Sequence, residues 1–120
     1  MKLTFFVLLA IISASSVFAQ NSNSIEGKWQ TGVDNTVIET YEKDGAWYGK
    51  IISSDNPKAS IGFDILRDFK VEGDSWKGQI YAVKKGKLLD AEINPAKDKL
   101  MIKVSSGLFS KDLEWPEVQD

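Results

Sequence analysis

From Gly27 onward the chain alternates between short runs rich in Val, Ile, Tyr, Trp and Thr and breaks made of Gly, Asp, Asn and Lys. The breaks recur roughly every ten residues, the spacing of an all-β sandwich or barrel. Eight runs can be placed: 27–31, 36–42, 46–53, 64–71, 76–83, 87–94, 99–104 and 110–115. Lys43-Asp44-Gly45 between the second and third predicts a tight hairpin, because Asp-Gly accepts positive φ at both turn positions. A longer connection, 54–60, holds Asp55, Asn56 and Pro57 and leaves room for a turn of helix before Asp64. No stretch sustains a helical period.

The alternation also says which side faces in. Trp76, Gly78, Ile80 and Ala82 share one face of the fifth run, with Lys77 and Gln79 on the other. Leu89, Ala91 and Ile93 oppose Asp90, Glu92 and Asn94; Leu100, Ile102 and Val104 oppose Lys99 and Lys103; Leu113 and Trp115 oppose Asp112 and Glu114. Each of these strands is half buried. Ile38 and Thr40 face inward in the second run, while the third and fourth carry apolar groups on both faces. Eight short strands joined by tight turns predict an all-β fold, a small eight-stranded antiparallel up-and-down barrel, since closure removes edges that would recruit other chains. Such a barrel is either filled by side chains or holds one small ligand.

The segment before the first run has a different character. Lys2, an apolar stretch 3–12 and small residues leading to Val17-Phe18-Ala19 form the three parts of a signal peptide, too short for a membrane anchor. Cleavage is expected after Ala19, giving a periplasmic or secreted product. Residues 20–24 then form a flexible polar leader, and 25–118 a single β-barrel domain. The chain contains no Cys and no His. Disulfides, thiol nucleophiles, imidazole bases and the usual zinc sites are therefore excluded, and no metal or cofactor is expected. A net charge of −2 over all 120 residues argues against nucleic acid and anionic membranes as partners. The lysines Lys84, Lys85 and Lys87 around Gly86 read as a solvated hairpin tip.

Gly27-Lys28-Trp29 looks like the first-strand motif of lipocalin-like barrels. With Tyr48-Gly49-Lys50-Ile51, Gly78-Gln79-Ile80-Tyr81, Gly86 and Trp115, the chain resembles a family of small exported bacterial proteins known only as a domain of unknown function. The likeness runs from about Ile25 to Val118. It implies a lipocalin-like β-barrel without assigned activity, and it carries over no catalytic residue. Ala82-Val83 and Gly86-Lys87-Leu88 depart from the family's pattern. So does Glu117, which stands where the closing motif usually has an Arg able to stack on the first-strand Trp.

Trp29, Trp76 and Trp115 on inward faces, together with Arg67, the sole arginine, are the candidate ligand-binding residues. The tryptophans are either an aromatic cage or core filling. Arg67, by strict alternation on one face with Ile65 and Phe69, is either an inward anchor for a ligand carboxylate or a stem lying on the barrel with its head in water. Tyr41, Tyr81, Leu88 and Met101 fall on the outward parity. The strand carboxylates face solvent, and Asp64 and Asp68 lie roughly 13 Å apart along an ideal strand, so no carboxylate pair supports catalysis. Asp34-Asn35 and Asp55-Asn56 have ordinary turn chemistry. A non-enzymatic protein binding a small apolar or amphipathic molecule is the expected function. The alternative is a filled-core barrel acting through its outer surface as an envelope interaction or stress protein.

Overall fold

A computed structural model describes residues 24–119. The expected signal segment and nearly all of the leader lie outside these residues. Eight strands follow one another: β1 (Lys28–Gln30), β2 (Val37–Lys43), β3 (Ala46–Ser53), β4 (Asp64–Glu72), β5 (Ser75–Ala82), β6 (Lys87–Ala96), β7 (Lys99–Ser106) and β8 (Phe109–Pro116). All neighbours are antiparallel, and the order in the sheet is the order in the chain. The all-β up-and-down architecture expected from the spacing is therefore present. Hydrogen-bonded turns replace the turn of helix entertained before Asp64.

The single sheet curls strongly into a half-barrel, and its end strands meet at one place. Trp29 bridges Glu117, and the Val118 amide donates to the Lys28 carbonyl at 2.9 Å. Closure goes no further because β1 is three residues long and β8 is eight. Among the described residues β8 pairs along its length only with β7, and its first half is exposed.

The concave side carries one continuous core. Ile25, Ile38, Leu66, Phe69, Ile93, Leu100 and Ile102 are its most deeply buried large side chains, with Trp29, Ile51, Ile80, Ala91 and Trp115 around them. Two glycines set how tightly the strands pack. A Cβ on Gly49 would lie 2.8 Å from Ile38 and 2.9 Å from Leu66. One on Gly78 would lie 2.7 Å from both the Arg67 carbonyl oxygen and the Phe69 ring. No real Cβ tolerates such contacts, so glycine leaves room for the large residues of the facing strand.

Polar groups in this interior are satisfied. Thr40 Oγ1 donates to the Ile25 carbonyl at 2.8 Å and accepts from the Gly27 amide at 2.9 Å; Trp29 Nε1 donates to the same Ile25 carbonyl at 3.1 Å. The segment before β1 is thereby tied across β2. Among the described residues no buried side-chain nitrogen or oxygen lacks a partner.

Strand β4 breaks the simple alternation twice. Against β3 the register advances by two residues on β4 for one on β3, between the pairs Gly49–Leu66 and Lys50–Asp64. Against β5 it passes from Arg67–Gln79 to Lys70–Lys77, three residues against two. The extra residue is Asp68, whose φ of 57° is left-handed and uncommon for a non-glycine residue inside a strand. Leu66 and Phe69 consequently both face the core, and Arg67 between them faces out. Strict alternation assigns Arg67 to the face of Ile65 and Phe69; the bulge reverses that assignment.

Candidate functional site

The four candidate residues do not line a common pocket. Trp29 and Trp115 are each 4% exposed and belong to the core. Trp76, opposite the buried Ile93, is half-buried at the margin of the same core, edge-on to Trp47 with ring centroids 6.2 Å apart. Arg67 lies on the convex face, separated from all three by the sheet itself. Two surface hollows of about 320 and 240 Å³ open to solvent. The first sits at the β1–β8 seam beside Glu26, Lys28, Glu39, Thr40 and Glu117. The second lies on β6–β8 beside Glu92, Asn94, Met101, Lys103 and Asp112. Neither is lined by a tryptophan or by Arg67.

The densest chemistry is on the convex face of β2–β5. Tyr41 and Tyr48 are opposite one another on β2 and β3 and stack with centroids 5.7 Å apart. The Tyr41 hydroxyl donates to Asp64 Oδ1 at 2.7 Å and the Tyr48 hydroxyl to Asp68 Oδ1 at 2.8 Å. The bulges in β4 bring both carboxylates to this face. Burial, reinforced by the hydrogen bond to Asp64, pushes the Tyr41 hydroxyl up to about 12. The hydrogen bond to Asp68, aided by burial, raises that of Tyr48. Both hydroxyls are donors at neutral pH. Neither is a base, which removes the simplest catalytic use of the pair.

Beside them, Lys50 Nζ stands 5.2 Å from the centre of the Tyr41 ring. The Arg67 guanidinium lies over Phe63 at 5.1 Å and Tyr81 at 5.8 Å, and these rings meet edge to face at 5.1 Å. Arg67 Nε donates to the Asp64 carbonyl at 2.9 Å. Phe63 is held there by backbone bonds that continue β3: the Ile51 amide donates to the Phe63 carbonyl at 3.0 Å, and the Gly62 amide to the Ile51 carbonyl at 2.7 Å.

Alternation places Tyr41 and Tyr81 on the outward side but says nothing of their company. Phe63 sits in a loop, where parity says nothing, and Arg67 reaches the cluster only through the bulge. The available signal was the apolar spacing of β4, where Leu66 and Phe69 are three apart instead of two.

A bacterial family described as an uncharacterized conserved protein (DUF2147) matches residues 27–116. The resemblance seen in the Gly-x-Trp and Gly-x-Ile-Tyr motifs is thereby borne out. No curated protein and no solved structure matches the chain.

Proposed function

The chain belongs to this family of uncharacterized bacterial proteins, and from that premise we propose that it is a non-catalytic binding module working through the outer surface of its sheet. The tripartite pattern of residues 1–19 supports placing it in the periplasm or outside the cell. One observation carries the choice of surface over interior: the concave side is occupied by packed side chains. A carrier of apolar molecules needs an enclosed space of a few hundred Å³. Here Phe69, Leu66, Ile93 and Leu100 fill the place such a ligand would take. Trp29 and Trp115, the best candidates for an internal aromatic cage, are core residues in contact with the same cluster.

Titration with an uncharged apolar fluorophore, N-phenyl-1-naphthylamine, tests this reading. A filled interior gives no saturable rise in its fluorescence. Saturation at one molecule per chain, with quenching of tryptophan emission, would establish an internal site and overturn the proposal.

A further inference from the structure

Arg67 is the only arginine in the chain, and it is prepared in a way a solvent-facing arginine is not. Its stem is half-buried, its Nε is fixed on the Asp64 carbonyl, and its plane rests on two aromatic rings. The neighbouring carboxylates do not neutralise it. Asp64 and Asp68 accept the tyrosine hydroxyls, and neither forms an ion pair with the guanidinium. Among the described residues the two terminal nitrogens of Arg67 have no hydrogen-bond or ion-pair partner. Gln79, half-buried, is the register partner of Arg67 on β5.

We propose that the Arg67 fork, walled by Phe63 and Tyr81, is a binding site for the carboxylate of a small aromatic acid; this rests on the outer-surface reading above. Two parallel N–H donors match the two oxygens of a carboxylate, and a guanidinium already immobilised loses little entropy on binding. The rings beside it offer a flat apolar surface to the body of such a ligand. The surroundings also select the charge of the guest. Asp68 follows Arg67 in the chain, Asp64 lies three residues before it, and Asp90 faces Gln79 from β6. A dianion such as phosphate meets twice the repulsion from these groups that a monoanion meets. The left-handed Asp68 marks the bulge at which Phe69 returns to the core while Arg67 and Asp68 both stay on the outer face.

The single arginine makes the test direct, because the full-length protein labelled with ¹⁵N shows one arginine Nε–Hε resonance. Benzoate should move that resonance saturably, with a Kd of about 1–10 mM, as befits one charge-assisted fork and a ring contact. Benzamide, the neutral analogue, and inorganic phosphate should each bind at least tenfold more weakly. In Arg67→Lys, which keeps the charge and loses the fork, benzoate shifts of the Tyr81 and Phe63 signals should fall at least tenfold while the tryptophan indole signals stay in place. No saturation by benzoate, tighter binding of phosphate, or equal benzoate binding by Arg67→Lys overturns the carboxylate site. None of those results touches the outer-surface reading, which fails instead on saturable binding of the uncharged fluorophore.

Discussion

Replacing Gly78 by Ala is the sharpest probe of the bulge that organises both faces of β4. The added Cβ would sit 2.7 Å from the Arg67 carbonyl oxygen and 2.7 Å from Phe69 Cγ. That is about 0.8 Å inside the ~3.5 Å at which non-bonded heavy atoms rest. Neither obstacle yields cheaply. The oxygen is backbone within the bulge, and Phe69 is fully buried. Overpacking of this kind costs about 1–3 kcal/mol. Against it stands a gain of about 0.4–1 kcal/mol from the reduced freedom of the unfolded chain. The net loss is then about 1–2 kcal/mol, a fall in Tm of about 5–15 °C for a domain of this size. Thermal unfolding followed by circular dichroism measures it, with Lys77→Ala on the exposed face of the same strand as control. A Gly78→Ala protein melting at or above the parent temperature would mean that the close passage of β4 over Gly78 is wrong. The same substitution should weaken benzoate binding, since Arg67 is carried by the displaced carbonyl's residue.

Three further outcomes follow from other parts of the molecule. Thr40→Val removes the acceptor of the Gly27 amide and one donor to the Ile25 carbonyl, so it should cost about 1–3 kcal/mol in urea unfolding; hydrogen exchange at Gly27 should accelerate at the same time. Tyrosinate absorbance should show Tyr41 and Tyr48 ionising late. Because both folded values are raised above the unfolded value near 10, the two hydroxyls favour the native state below that pH, and this support is lost as pH rises through the folded values, about 12 for Tyr41; Asp64→Asn should bring Tyr41 back toward its ordinary range. Glu114→Gln breaks the 3.1 Å ion pair with Lys99, but both side chains are largely in water, so Tm should stay within about 3 °C.

The strands and their inward faces were legible where two conditions held: regular pleating and one wet face. β5 to β8 meet both. Ile80, Ala91, Ile93, Leu100, Ile102 and Trp115 all face the core as their alternation indicates. β4 meets neither. An aspartate in the left-handed region leaves no reliable trace in sequence, because Asp is also an ordinary strand-edge and turn residue. Once Asp68 is inserted, every parity beyond it changes sign, and Arg67 parts company with Phe69. The tyrosine–aspartate–arginine cluster was hidden for the same reason, since two bulges and a loop assemble it. The extent of closure was also out of reach, because it depends on how far a three-residue β1 can follow the stagger of β8.

The unbroken order from β1 to β8 also bears on how quickly the protein reaches its native state. Every full ladder joins strands that are neighbours in the chain, so each can zip from its own turn without waiting for a distant segment. The seam that must search is where the chain beyond β8 meets β1, through the Trp29–Glu117 bridge and the Val118–Lys28 hydrogen bond, which closes a loop of roughly 90 residues for little backbone pairing in return. Its formation is expected last. Folding should then be fast for an all-β domain, with a transition state centred on the middle hairpins. Substitutions at the β1–β8 seam should leave the folding rate unchanged and speed unfolding alone.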